Sequence, residues 1–219
     1  MATRALLADL VRQYRAQAGG DVAIESVGGV DAAKRVQAGE PFDVVILASD
    51  AIDKLIAAAS VVSDSKVDLV RSGVAVAVRS GAARPDIASE DAVRRAVVAA
   101  ETVGYSTGPS GVQLARLFER WGIAEEIERK IVQAPPGVPV GSLVAKGQVA
   151  LGFQQLSELM HVPGIDVVGS LPDAIQIVTT FSAGVCAASA SPLAARDLLA
   201  FLASPAADDA KRRHGMEPA

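Results

Sequence analysis

The sequence is poor in the residue types that build disulfides, metal centres and aromatic clusters. Cys186 is the single cysteine, so an internal disulfide is impossible, and the two histidines, His161 and His214, are too far apart along the chain to suggest a zinc site. Aromatic residues make up 4% of the chain, and Ala, Val, Gly and Leu supply most of its apolar content. Because Cys186 lies within an apolar, strand-like run, we expect a small buried side chain there and not a catalytic thiol.

Long apolar runs and clusters of cations are also missing. No run reaches the roughly 18 apolar residues that a membrane-spanning helix needs, so we expect no direct membrane insertion. The net charge is −4 and the basic run Lys211–His214 is short, so we expect no nucleic-acid partner, because phosphate binding needs clustered Lys and Arg. Residues 1–18 have helical periodicity with scattered charges, so we expect no signal peptide in this segment. A cytoplasmic protein and a mature or truncated exported one both remain open.

Patterns typical of strands alternate along the chain with patterns typical of helices. The predicted strands include residues 21–27, 42–48, 67–78 and 175–188, the last interrupted around Ser182. Such alternation predicts the α/β class, with parallel-rich sheets flanked by helices and joined by right-handed crossovers. A chain of 219 residues can form one large domain or two small lobes with real cores.

Loops that follow predicted strands and precede predicted helices contain the best candidate ligand contacts. They place Ser49, Ser110, Gly111 and Val138 at helix N-termini, where unpaired backbone N–H groups and a partial positive charge attract anions. The alternative is that each serine only caps its helix. Because several such loops follow strand ends, we expect an anion site where they meet.

Segments spread over nearly the whole chain resemble the molybdate-binding protein family of periplasmic solute-binding proteins. Residues 28–50, with Gly39-Glu40-Pro41-Phe42-Asp43 before a strand that ends at Ser49, resemble one family segment, and residues 140–159 and 194–218 resemble two others. The resemblance implies a type II periplasmic-binding-protein fold with a ligand cleft between two lobes. The implied first lobe comprises residues 1–79 and 176–219, and the second comprises residues 80–175.

The same resemblance implies a monomer without a cofactor that binds a small anion in the periplasm and works with the membrane component of an ABC-type transporter. Ser49 corresponds to a ligand-binding serine of the family, Ser110 to a residue whose backbone N–H meets the anion, and Gly137 or Val138 to the next backbone donor. Gln155 lies where molybdate binders usually have a tyrosine whose hydroxyl touches the anion, so the resemblance implies that Gln155 contacts the ligand.

The start of the chain departs from the family pattern. The chain opens directly in a predicted helix, whereas the family's first lobe begins with a strand that ends in a ligand-binding serine. Thr3 is the nearest substitute for that serine. The resemblance therefore implies that the first strand of lobe one is missing from this chain.

Arg71 raises the possibility of a carboxylate ligand. In the alternation of residues 67–73 it falls on the side of the apolar residues, and a guanidinium can hold a carboxylate with two hydrogen bonds. A surface or interlobe salt bridge is the alternative. Tyr105, at the end of a predicted strand, either lines the cleft or belongs to the core.

These observations leave three functions open. The first is a carrier of an oxyanion or organic carboxylate, and we expect a carrier more than an enzyme. The second is an isomerase of a small tricarboxylate, resembling aconitate isomerase, which would need a base such as Tyr105, Glu158 or His161. The third is a cytoplasmic ligand sensor, although the chain contains no DNA-binding motif.

Overall fold

A computed structural model describes residues 2–18, 21–135 and 137–219. Backbone contacts divide the chain into two units, with Met1–Ser72 and Thr179–Ala219 in unit 1 and Gly73–Val178 in unit 2. The segment Gly73–Arg79, which the sequence analysis assigns to the first lobe, packs within unit 2. The lobe boundaries at 79/80 and 175/176 stay a prediction.

The described residues form helices and strands that alternate along most of the chain. The helices are α1 Arg4–Ala18, α2 Gly29–Gln37, α3 Ser49–Ala57, α4 Glu90–Ala99, α5 Pro109–Arg120, α6 Ala124–Ile127, α7 Val140–Ala145, α8 Leu156–Leu159, α9 Pro192–Ala203 and α10 Asp208–Arg213. The strands are β1 Val44–Ala48, β2 Val67–Arg79, β3 Val103–Ser106, β4 Ile131–Ala134, β5 Leu151–Gln155, β6 Ile165–Ser170, β7 Val178–Val185 and β8 Glu217–Pro218. The predicted α/β class is confirmed.

The sheet of unit 1 is built around β7. This strand lies between β1 and β2, and it pairs antiparallel with β1 from Val44↔Val185 to Ala48↔Phe181. Helices α1 and α9 pack leucines such as Leu6 and Leu199 into a core with the strands. A second apolar cluster joins α2 and α3 to β1. As a result, α3 begins directly at the carboxyl end of a buried strand.

The sheet of unit 2 has the strand order β2-β5-β3-β4. Strand β3 pairs in parallel with β4 and β5, whereas β2 is antiparallel to β5 and also pairs with β6. Helix α5 covers the sheet with Leu114, Leu117 and Phe118, and the Phe118 and Phe153 rings meet edge-to-face with centroids 6.2 Å apart. The sheets are thus more mixed than the alternation predicts, because β2 and β7 run opposite to their neighbours β5 and β1.

Two local expectations were wrong. Residues 21–27 do not form a strand, and Ile24 and Val27 are 40% and 37% exposed, because no strand among the described residues pairs with this segment. Ser182 does not interrupt β7. It is fully buried, and its hydroxyl donates to Asp68 at 2.5 Å, which allows a polar side chain inside the strand.

The interpretation of Cys186 as a small buried residue is confirmed. The side chain is 2% exposed, and its backbone forms an isolated bridge with Val61. Burial and the nearby charge of Asp43 raise the pKa of the thiol to about 11, so the reactive thiolate is disfavoured at neutral pH.

Asp9 ties α1 to the end of α10. Its carboxylate accepts hydrogen bonds from Arg213 at 3.3 Å and Gln13 at 3.3 Å, and it lies 3.2 Å from His214 Nε2. Burial raises the pKa of Asp9, but bonds from these groups and from Arg12 outweigh it and lower the pKa from 3.8 to about 2. The charged form of Asp9 therefore stabilises unit 1.

We expect Asp9→Asn to lower the free energy of unfolding by about 1–2 kcal/mol at neutral pH. Because the folded pKa is depressed, the contribution of Asp9 is complete above pH 3.8 and is lost as the pH falls toward about 2. Urea unfolding at several pH values should show the two proteins converging in acid. Asp209→Asn, at a side chain that is 90% exposed, is the control, and a difference independent of pH would contradict the assignment.

Candidate functional site

Unit 2 gathers several loops at one edge of its sheet. In the parallel pairing of β3 with β4, Ser106 lies opposite Ala134, and Gly104 of β3 lies opposite Gly152 of β5. Parallel strands about 4.8 Å apart release their loops at the same edge. Residues 106–111, 135, 137–140 and 155–158 therefore share this edge, and we call them the carboxyl-edge loops.

The N-terminus of α5 lies at the centre of these loops. Gly108 is the residue before the helix, and its own N–H donates to the hydroxyl of Ser106 at 3.3 Å. Ser110 lies in the first turn, is 6% exposed, does not cap the helix, and forms no side-chain hydrogen bond with the described residues. The N–H groups of Ser110 and Gly111 have no partner within the helix, so this turn offers unused donors and a partial positive charge.

Gly111 determines how close this helix comes to β3. A Cβ atom at Gly111 would lie 1.7 Å from the carbonyl oxygen of Ser106 and 3.2 Å from the ring of Tyr105. Only glycine fits at this distance, and α5 therefore begins directly above the end of β3. Gly111 therefore has a packing role that does not depend on any ligand.

In the β4–α7 loop, the backbone N–H of Val138 is not available to a ligand, contrary to the expectation from the sequence. The N–H of Val138 donates to the carbonyl of Pro135 at 3.0 Å, and that of Ser142 donates to Pro139 at 3.1 Å. The N–H of Gly141 donates to Gln154 Oε1 at 3.3 Å. Val138 therefore offers no free N–H in this structure, because the turn that leads into the short helix α7 already uses it.

The β5–α8 junction contributes a cluster of polar side chains. Gln155 ends β5 and is 4% exposed, and its Oε1 is buried without a hydrogen-bond partner among the described residues. The hydroxyl of Ser157 is also buried without a partner there. Burial raises the pKa of the half-buried Glu158, and a hydrogen bond with the Gln154 side chain opposes that rise. We call Gln154, Gln155, Ser157 and Glu158 the β5–α8 cluster.

Unit 1 has a comparable helix start at α3. Ala48 is the residue before the helix and Ser49 is its first residue, and no side chain caps this end. The half-buried Ser49 therefore has a first-turn N–H and a hydroxyl that helix capping does not use. Thr3 lies just before α1, is 8% exposed, and accepts the N–H of Leu7 through its carbonyl at 2.9 Å.

Arg71 does not lie where the alternation places it. Leu69 and Val70 are both buried, whereas Arg71 is exposed and its guanidinium donates to the carbonyl of Pro218 at 3.4 Å. The strand is not half-buried in simple alternation here, since the adjacent Leu69 and Val70 are both buried, and Arg71 lies opposite Glu217 of β8, within reach of the Pro218 carbonyl. No hydrogen bond among the described residues joins Arg71 to Ser49 or Thr3.

Tyr105 is buried and also lines a cavity of about 770 Å³ within unit 2. Its ring meets Phe118 edge-to-face with centroids 6.0 Å apart, and burial raises the pKa of its phenol. Three glutamates also line this cavity: Glu119, Glu125 and Glu128. Their charge disfavours an anion there, so the cavity does not substitute for the carboxyl-edge loops.

Residues 2–18, 21–135 and 137–219 contain no group of three or more His, Cys, Asp or Glu side chains placed to hold a metal ion. Within the same part of the chain, every helix is too short or too polar to cross a lipid bilayer. His161, offered as a base from the sequence, is exposed in the turn after α8.

Residues 1–217 match the family model of the bacterial extracellular solute-binding proteins, so the chain belongs to that family. The chain is also 45% identical over 185 residues to an aconitate isomerase from a Pseudomonas species. The matched region covers 84% of this chain and 70% of that protein. The predicted resemblance to periplasmic solute-binding proteins is therefore confirmed.

Solved structures share the fold at low sequence identity. The periplasmic molybdate-binding protein of Azotobacter vinelandii superposes with a TM-score of 0.80 at 19% identity, covering 98% of this chain and 95% of that one. AgtB from A. tumefaciens R10, solved with agropinic acid, gives a TM-score of 0.72 at 9% identity, covering 100% of this chain and 80% of that one. These likenesses confirm the type II periplasmic-binding-protein fold.

Gly111→Ala should destabilise unit 2 by about 3 kcal/mol or more, because the new methyl group would overlap a backbone carbonyl and push α5 away from β3. Gly108→Ala is the matched control, since its Cβ would meet only the Ser106 hydroxyl at 3.5 Å and its φ is −75°. Fluorescence of the single tryptophan, Trp121, reports the unfolding of unit 2 in urea. Equal stability of the two variants would contradict the close approach of α5.

Proposed function

We propose that this protein is a periplasmic carrier that binds a small organic carboxylate and delivers it to an ABC-type transporter. The N-terminus of α5 is the observation that carries the proposal, because the N–H groups of Ser110 and Gly111 have no intrahelical partner and the Ser110 hydroxyl does not cap the helix. A carboxylate has the charge and the acceptor oxygens that such a turn binds.

The polar groups beside α5 favour a carboxylate over a tetrahedral metal oxyanion. At the neighbouring strand end, the Gln155 amide can donate one hydrogen bond and accept another, and its Oε1 has no partner among the described residues. A partly protonated organic acid can donate a hydrogen bond to that acceptor, whereas an oxyanion without protons cannot. The 45% identical aconitate isomerase points in the same direction, to a tricarboxylate.

Ser49 and Thr3 of unit 1 are proposed as further contacts, since both lie at helix starts. That these residues and α5 act on one ligand in a cleft between two lobes stays a prediction. Arg71 and Val138 are left out of the proposed contact set, because the guanidinium of one and the N–H of the other already have partners within the chain.

A second candidate function is isomerisation of the bound tricarboxylate, as in aconitate isomerase. The observation that favours it is the 45% identity to that enzyme over 84% of this chain. Isomerisation and transport need the same recognition of carboxylates. They differ in whether the bound molecule is released unchanged.

Thermal melts with cis-aconitate, trans-aconitate, citrate, molybdate and sulfate should show stabilisation by the tricarboxylates alone, about 2.7 kcal/mol at a hundredfold excess over Kd. Ser110→Ala should weaken the binding about tenfold, because it removes a hydrogen bond to a charged group. Gln113→Ala, an exposed residue of the same helix, is the control. Stabilisation by molybdate and not by tricarboxylates would overturn the carboxylate assignment.

Incubation with trans-aconitate, followed by proton NMR, separates the two candidate functions. The carrier predicts bound ligand that is recovered as the trans isomer. Formation of cis-aconitate in proportion to protein concentration would replace the carrier with the isomerase, while leaving the proposed binding site intact.

A further inference from the structure

The cavity of about 770 Å³ in unit 2 combines apolar walls with an acidic rim. Three exposed glutamates line it: Glu119 near the end of α5, Glu125 in α6 and Glu128 directly after α6. The apolar residues of the lining are Tyr105, Ala115, Phe118, Ala124, Ile127 and Ile131. A volume of this size is within the range of small-molecule sites. The combination of apolar walls with acidic groups suits a cation that also has a hydrocarbon part.

The three glutamates are not neutralised by cations of the chain. None of them forms an ion pair or a side-chain hydrogen bond with the described residues. Arg120 and Lys130 both bond to α4, at 2.8 and 2.6 Å. Arg116 lines a separate cleft, and the exposed Arg129 is not one of the lining residues. The cavity therefore has a negative potential, which attracts cations.

Tyr105 gives independent evidence for a ligand in this cavity. The residue is only 8% exposed, and its hydroxyl forms no hydrogen bond with the described residues. The hydroxyl oxygen is nevertheless not among the buried side-chain atoms that solvent cannot reach, so it opens to the cavity that the residue lines. Buried tyrosines usually find a hydrogen-bond partner for this group. A ligand N–H would supply one.

The spacing of the acidic groups favours an organic cation over a metal ion. Within the described part of the chain, no three His, Cys, Asp or Glu side chains come together as a metal site would require, so the three glutamates are spread around the cavity. A calcium or magnesium ion needs several oxygen ligands that converge on one point. An ammonium group needs only separate acceptors for its three N–H donors, and an attached hydrocarbon part gains free energy on burial against apolar walls.

We propose that this cavity is a second ligand site, which binds an organic ammonium ion with an apolar body. The ammonium group would lie among the three lining glutamates and donate a hydrogen bond to the Tyr105 hydroxyl. The apolar body would lie against Phe118 and Ile131. The lining includes none of the proposed carboxylate contacts, so this inference does not depend on the proposed function.

Titration of the isotope-labelled full chain with phenethylamine at neutral pH, followed by amide proton NMR, tests the proposal. We expect a Kd of about 1 mM or lower, with the largest shifts at the residues that line the cavity. The neutral analogue 2-phenylethanol has the same number of non-hydrogen atoms and no charge. It should bind at least about tenfold more weakly, because it lacks the attraction to the glutamates.

Variants of the lining residues identify which groups recognise the cation. The triple variant Glu119→Gln/Glu125→Gln/Glu128→Gln should bind phenethylamine about tenfold more weakly and no better than 2-phenylethanol. Tyr105→Phe should weaken binding about three- to tenfold, because it removes one hydrogen bond to a charged group. Glu126→Gln, at an exposed glutamate of α6 outside the lining, is the matched control and should bind as the wild type does.

Two results would overturn the proposal. One is equal affinity for phenethylamine and 2-phenylethanol, or an affinity for phenethylamine that the triple variant leaves unchanged. The other is the absence of shifts at the lining residues with millimolar phenethylamine. Trp121 fluorescence in urea checks that each variant is folded. Binding of trans-aconitate should not weaken in the triple variant, so failure of this site and failure of the carboxylate site are distinguished.

Discussion

The close approach of α5 to the end of β3 is the constraint on which the candidate site depends. Because Gly111 has no side chain, the first turn of α5 lies against the Ser106 carbonyl, and its unpaired N–H groups are held at the carboxyl edge of the sheet. A larger residue would displace these donors together with the buried hydroxyl of Ser110. The same packing contact thus serves the stability of unit 2 and the position of the donors that the proposed function assigns to the ligand.

Helix starts that follow strand ends differ in what they offer. Among the described residues no side chain caps α3 in unit 1 or α5 in unit 2, whereas at α7 the first N–H groups are bonded to Pro139 and Gln154. Within unit 2, binding of an anion is therefore most favourable at the start of α5, because the N–H donors there have no hydrogen bond within the helix that must first be broken. At the edge of this site, the β5–α8 cluster adds the half-buried Glu158 and the buried amides of Gln154 and Gln155.

The sequence predicted the fold class and part of the site, for physical reasons that can be traced to particular residues. The strand-to-helix signals around Ser49 and Ser110 depend on local periodicity, and both residues lie at helix starts as expected. Val138 was expected to be a free donor, but its N–H bonds to Pro135 within a turn that periodicity cannot show. Arg71 was placed on the apolar side by simple alternation, which failed because the adjacent Leu69 and Val70 are both buried, while the exposed guanidinium bonds to Pro218. The polar character of the β5–α8 cluster is visible in the sequence, but whether Gln155 and Ser157 find partners among the described residues depends on tertiary packing.

The central claim is that the amides at the start of α5 bind the negatively charged ligand. Titration of isotope-labelled protein with trans-aconitate, followed by amide proton NMR, tests this claim directly. The Ser110 and Gly111 amide protons should move downfield and reach their limiting shifts at the same ligand concentration. Saturation with unchanged Ser110 and Gly111 resonances, and with shifts confined to other residues, would contradict it.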